Sequence, residues 1–217
     1  MNFDFDGAIF DMDGTLLDTM PYWRFTALEY ILAHQMPIRP DMIARMYATS
    51  ARKLLFEYAG QEGYVLNRPE VIRELEGFMN RHYLYDAKLK PNVPAFLEVL
   101  KSRGIRLCVA TGAPREYARN GLRRLGILDY FDFVTDNYEF EYTKDQPGYF
   151  DRVVSRLGVD PQRCWVFEDA LYAMKSAKAT GVHICAIEDG AQIHDRAEIK
   201  NLADIYIRGY EELMTIQ

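Results

Sequence analysis

Short apolar runs alternate with longer amphipathic stretches over most of this chain. From about Asn92 onward, the β-rich runs Arg106–Ala110, Phe131–Thr135 and Cys164–Phe167 are separated by the helix-like segments 114–126, 147–158 and 170–180. Val182–Ile187 continues the series, and Ala203–Ile207 supplies a candidate last strand before a short helix at 210–215. One further strand, Ala8–Phe10, stands far upstream. Between them, 19–87 holds no convincing strand, and its segments 21–34, 41–59 and 69–85 space Tyr, Leu, Ile and Met in helical fashion. Pro37 and Pro40, the stretch 60–69 and the turn Lys90-Pro91-Asn92 supply the breaks. Strand and helix in alternation predict a parallel sheet with crossover helices. The expected architecture is a doubly wound, Rossmann-like α/β core made of 1–18 and 88–217, with an all-α helical cap, 19–87, inserted after the first strand. Ligands of such sheets bind beyond the carboxyl ends of the strands.

Composition narrows the class. A chain of 217 residues is one typical domain plus an insert, and 49% apolar with 27% charged residues is ordinary for a globule with a substantial core. The net charge of −6 gives no general attraction to nucleic acid or anionic membranes. Cys108, Cys164 and Cys185 are odd in number, lack a CxxC spacing and fall in apolar runs, which predicts buried thiols. The first twenty residues carry five aspartates and neither Lys nor Arg, unlike a secretory leader, and no apolar run reaches a membrane span. The expectation is a cytoplasmic protein with no membrane or obligate protein partner.

Chemistry concentrates at four strand ends. The first strand runs into Asp11-Met12-Asp13-Gly14-Thr15, two carboxylates where the backbone must turn. Such acids are either turn-formers and caps or ligands, and the full string favours function. Asp4-Phe5-Asp6-Gly7 repeats part of the pattern, but no strand precedes it and no Thr follows. The second strand ends in Thr111-Gly112-Ala113-Pro114, which reads as a helix cap or an anion-binding hydroxyl with free N–H groups. Lys144 precedes a helix start, and Glu168-Asp169 follows four apolar residues, as a cap or as cation ligands. Together, Asp11, Asp13 and Asp169 would repel one another unless a hard divalent cation, Mg²⁺, lay among them. A dianionic substrate would then meet the cation, Lys144 and Thr111, which is the equipment of phosphoryl transfer.

Asp11-Met12-Asp13-Gly14-Thr15, Thr111, Lys144 and Glu168-Asp169, in that order, resemble the four motifs of the haloacid-dehalogenase-like hydrolase superfamily. The helical insert resembles the cap of the subgroup containing beta-phosphoglucomutases and phosphoglycolate phosphatases. The resemblance implies a Mg²⁺-dependent phosphatase of a small phosphorylated metabolite. It implies Asp11 as the nucleophile that becomes an aspartyl phosphate and Asp13 as general acid/base. It also implies Asp11, the Asp13 carbonyl and Asp169 as metal ligands supported by Glu168, and Thr111, Gly112 and Lys144 as phosphate ligands. An acid at position 13 is unlike a true dehalogenase or a P-type ATPase. The third motif departs from the usual Lys-Pro-x-Pro-Asp, reading Lys144-Asp145-Gln146-Pro147-Gly148. The cap run Met46–Lys53 has Tyr47 and Ala51 where mutases carry Lys and Arg, which weakens a mutase alternative. A catalytically idle binding module is a further alternative, disfavoured by the complete acidic set.

Substrate choice is expected to lie in the insert, with Tyr22, Trp23, Tyr47, Arg52 and Lys53 as candidates. Lys53 also raises the alternative of a Schiff-base lysine, as in phosphonoacetaldehyde hydrolases of the superfamily. His34, His82, His183 and His194 are scattered, and no P-loop, dinucleotide-binding or zinc-protease motif is present.

Overall fold

A computed structural model describes residues 4–214. Strand β1 (Gly7–Phe10) leads into four helices, α1 (Met20–Ala33), α2 (Met42–Ala48), α3 (Ala51–Gln61) and α4 (Arg68–Tyr85). The chain returns through α5 (Val93–Ser102), β2 (Arg106–Ala110), α6 (Arg115–Arg124), β3 (Phe133–Thr135), α7 (Pro147–Leu157) and β4 (Cys164–Glu168). It closes with α8 (Leu171–Lys178), β5 (His183–Ile187), α9 (Arg196–Leu202), β6 (Ile205–Ile207) and α10 (Glu211–Met214). The six strands lie in the order β3-β2-β1-β4-β5-β6 and every pairing is parallel. This is the doubly wound, Rossmann-like sheet expected from the alternation of runs. Because all strands point one way, their carboxyl ends share one edge. Among the described residues no helix is long and apolar enough to cross a membrane.

Both faces of the sheet are covered, which explains why its strands read as continuous apolar runs. Successive side chains of a strand point to opposite faces. Phe10, Val109 and Phe167 therefore join the cluster under α5 and α6, whereas Ile9, Cys108 and Val166 join the one under α7 and α8. Phe10 stacks on Phe167 at 4.4 Å between ring centroids, fixing the packing beneath the strand ends. All three cysteines are buried free thiols, and burial pushes each of them up in pKa.

The helices α1 to α4 enclose a separate cluster that includes Ala27, Ile31, Met42, Leu54, Tyr58 and Leu75. The far part of α4 belongs to the main core through Met79 and Tyr83. There Gly121 of α6 lets the two helices approach: a Cβ on it would stand 3.1 Å from the Tyr83 Cβ. Arg124 then bonds two carbonyls at the end of α4, that of Tyr83 at 2.7 Å and that of Ala87. Entry to and exit from the helical segment lie side by side. Leu17 pairs antiparallel with Leu89, and the Asp18 and Lys90 N–H groups donate to the carbonyls of Lys88 and Leu16, each at 2.9 Å.

Several elements differ from expectation. The single helix predicted over 41–59 is two, because Thr49 is extended and Ser50 starts α3 by accepting the Lys53 N–H at 3.4 Å. The strand predicted over 131–135 starts at Phe133, after a tight 3-10 turn at Leu128–Tyr130. Helices α5 and α9 were not anticipated. Val93, Phe96, Leu97 and Leu100 give α5 a clear buried stripe, whereas α9 buries only Ile199. Of the short helix expected over 210–215, Glu211–Met214 is helical and residue 215 lies outside the described residues.

Candidate active site

The edge formed by the strand ends gathers the predicted carboxylates. Asp11 is the first residue beyond β1, and its N–H is tied to the Phe167 carbonyl of β4 at 2.9 Å. Glu168 and Asp169 stand at the end of β4. Asp11, Glu168 and Asp169 are all buried, and each offers one carboxylate oxygen within 4.8 Å of the others. Lys144 reaches among them from the loop after β3: its Nζ donates to Asp11 Oδ1 at 2.6 Å, Glu168 Oε2 at 2.7 Å and the Ala110 carbonyl at 3.0 Å. Asn137 Oδ1 holds the backbone of that loop by accepting the Lys144 N–H at 3.1 Å. Only 3% of Lys144 is exposed, so its charge is committed to this cluster.

One ammonium does not balance three carboxylates. Burial, then the neighbouring Glu168 carboxylate, push Asp11 up to about 8 despite Lys144. Burial together with Glu168 and Asp11 holds Asp169 well above the usual carboxylate range. Burial opposes the charge on Lys144, but the Asp11 and Glu168 carboxylates outweigh it and hold the ammonium well above its ordinary value. Both oxygens of Glu168 are engaged: Oε2 accepts from Lys144, and Oε1 accepts the N–H groups of Asp169 and Ala170 at 3.2 and 3.1 Å. Among the described residues no hydrogen bond reaches Asp11 Oδ2 or Asp169 Oδ1. Hard oxygen donors, two of them open, in a site short of positive charge fit a metal ion. Gly14 leaves room for the Asp169 carboxylate: its φ is +84°, and a Cβ there would lie 2.6 Å from Asp169 Oδ2.

The Asp13 carboxylate is held apart from that cluster. Thr19 donates to its Oδ1 at 2.5 Å, and the Tyr83 hydroxyl donates to Oδ2 at 2.7 Å. Burial raises Asp13, while hydrogen bonds from Thr19, Tyr83 and Trp23 pull the other way. Thr111 is buried, and its Oγ1 accepts the Ala113 N–H at 3.1 Å, which leaves its proton free to donate. It is not the cap of α6, because Asp136 Oδ2 takes the Arg115 N–H at 2.7 Å. Gly112 is exposed on the same loop. The upstream Asp-x-Asp-Gly copy lies at the opposite end of β1, where Asp4 and Asp6 pair with Arg163.

A cleft of about 530 Å³ opens between the helical segment and the core. Trp23, Tyr47 and Arg52 line it, together with Met20, Arg24 and Gln192. Tyr22 does not line it; that ring stacks on His82 at 4.4 Å and packs against the main core. Lys53 lies instead on a separate groove with Phe56 and Arg68, its Nζ 3.9 Å from Glu57. Among the described residues no lysine lines the main cleft.

Sequence reading missed the groups that reach the site from a distance. Tyr83 comes from the helical segment, seventy residues from Asp13. Gln192 donates to Asp169 Oδ2 at 3.2 Å from the turn after β5. That turn is fixed by Asp189, which accepts the Ala191 N–H at 2.8 Å and pairs with Lys90 at 2.9 Å. The only sequence signal for this chain of contacts is the Asp189-Gly190 turn itself.

The family model for haloacid dehalogenase-like hydrolases matches residues 8–187. The chain belongs to this family. It is 30% identical over 184 residues to the phosphorylated carbohydrates phosphatase of Thermotoga maritima, covering 82% of each chain. It is 33% identical over 182 residues to the fructose-1-phosphate phosphatase YqaB of Escherichia coli K12, covering 81% of this chain and 93% of that one. Its fold matches the crystal structure of CbbY from Rhodobacter sphaeroides in complex with phosphate, with a TM-score of 0.77, 20% identity and 96% of both chains covered.

Proposed function

We propose that this hydrolase is a Mg²⁺-dependent phosphatase that cleaves a small phosphorylated metabolite, of the sugar phosphate or phosphoglycolate type, through an aspartyl phosphate on Asp11. The observation that carries this reading is the buried Asp11 carboxylate, 2.6 Å from the Lys144 ammonium and adjoining Glu168 and Asp169. The names of the relatives support the same class. The α/β core of 1–18 and 88–217 would hold the phosphoryl group, and the helical cap, 19–87, would hold the leaving group.

Asp11 attacks phosphorus, and the bond from phosphorus to the leaving oxygen breaks as the acyl phosphate forms. Asp13, whose pKa burial raises, gives its proton to that oxygen and afterwards takes one from the water that hydrolyses the intermediate. Lys144 and the Thr111 hydroxyl bind the phosphoryl oxygens, and Lys144 also keeps Asp11 aimed. Asp11, the Asp13 carbonyl and Asp169 would hold Mg²⁺, with Glu168 in support. When bound, the ion neutralises the charge gathered on the phosphoryl oxygens.

A phosphatase is favoured over a mutase by the cap itself. Tyr47 and Ala51 occupy the positions of the mutase Lys and Arg, and Arg52 is already paired with Glu76 at 2.9 Å. Incubation with a panel of phosphate esters is expected to release phosphate with Mg²⁺, and to stop in EDTA or with Asp11→Asn. Release that survives Asp11→Asn, or none across the panel, refutes the reading. Isomerisation of a sugar phosphate primed by a bisphosphate would turn it into the mutase.

A further inference from the structure

Two arginines line the cleft, and their surroundings differ. Arg52 Nη2 donates to Glu76 Oε1 at 2.9 Å, and the Tyr138 hydroxyl donates to the same oxygen at 2.9 Å. Glu76 is buried, so the Arg52 charge is balanced within the protein. Arg24 is half-buried in α1, with its guanidinium carbon 4.3 Å from the centroid of the Tyr47 ring. Among the described residues it pairs with no carboxylate. A guanidinium held on an aromatic face keeps its donor fork oriented while part of its hydration is removed. Such a fork fits a carboxylate through two parallel hydrogen bonds.

Position and size add to this. The inner end of the cleft adjoins the reacting groups through Gln192, which lines it and donates to Asp169. A volume of about 530 Å³ suits a ligand with several carbons better than a two-carbon acid. We propose that Arg24, seated on Tyr47, is the specificity-determining residue for the leaving group and selects phosphate esters of sugar acids over those of neutral sugars. This rests on the phosphatase reading, and it assigns Arg24 the carboxylate of the leaving group. Asp195, exposed on the core side of the cleft, is the competing partner.

The test compares 6-phosphogluconate with glucose 6-phosphate, which share a six-carbon chain and differ by the carboxylate. Wild type is expected to favour the acid in kcat/KM by about ten- to a hundredfold, the range of one charge-assisted pair, with the difference in KM. Arg24→Gln should collapse the ratio, Arg24→Lys should restore part of it, and Arg52→Gln should preserve it. Equal kcat/KM for the two esters, or a ratio that survives Arg24→Gln, overturns the assignment; the first result would mean that Asp195 or water satisfies Arg24. Calorimetric binding of both esters to wild type and Arg24→Gln, read for the same ratio, decides the point even if neither ester is turned over. Absence of turnover counts against the phosphatase reading alone.

Discussion

Replacing Lys144 with Met removes the cation that, alone among the described residues, pairs with Asp11 and Glu168. Two unit charges within 4.8 Å of each other repel by at least about 3.5 kcal/mol at an effective dielectric of ~20. Part of that repulsion is already relieved by protonation, since Asp11 is pushed up to about 8 and Asp169 well above its ordinary range. The net cost should approach that of breaking a buried ion pair, about 3–5 kcal/mol. For a chain of this size each kcal/mol lowers Tm by about 2–4 °C, so a fall of roughly 6–20 °C is expected without metal. Mg²⁺ would then supply the missing charge. Thermal melts of wild type and Lys144→Met, in EDTA and across a Mg²⁺ titration, should show a larger Mg²⁺ shift in the variant, with hydrolysis depressed in both conditions. A variant that melts within 2 °C of wild type in EDTA, or equal Mg²⁺ shifts in the two proteins, would refute the charge balance described here.

Gly14→Ala should cost metal affinity more than stability, because its Cβ displaces Asp169 Oδ2; titration with Mn²⁺ as a paramagnetic probe would show weakened binding. Tyr83→Phe removes a hydrogen bond that lowers Asp13, so the Asp13 pKa should rise and the limb of the kcat/KM profile that it governs should move to higher pH, with a loss of about tenfold. Asp204 is held below its ordinary range; burial raises it, but hydrogen bonds from Lys178 and the Ile184 N–H outweigh this. Its contribution is therefore present above the unfolded value of 3.8 and lost as pH falls through the lower folded value. Asp204→Asn should cost about 1 kcal/mol near neutrality, discounted for its exposure, and flatten the acid side of a stability profile measured by urea unfolding.

Much of the fold is legible because its strands are buried on both faces and its helices on one. The runs ending at Phe10, Ala110 and Phe167 needed no tertiary information to be found. The break at Thr49-Ser50 was legible too, since Ser50 is a capping residue, but the apolar spacing of 41–59 masked it. Helix α9 was not, because one buried residue makes no periodic signal. At the site, each predicted acid lay next to its own strand end, where local pattern and topology coincide. Tyr83, Gln192 and Lys90 act through contacts made only when remote segments meet. No spacing in the chain announces such contacts. Arg24 was overlooked because its role depends on what its neighbours lack, and a missing counter-charge is visible only in three dimensions.

The antiparallel stitch between Leu17 and Leu89 has an evolutionary consequence. Because both ends of the helical insertion leave the core at one point, already hydrogen-bonded to each other, the insertion behaves as an interchangeable cassette. Swapping it would keep Asp11, Lys144, Glu168 and Asp169 in place and present a different ceiling to the substrate, provided the new segment still supplies the hydroxyls of Thr19 and Tyr83 to Asp13. A lineage built this way can diversify its chemistry of recognition without reinventing its chemistry of cleavage.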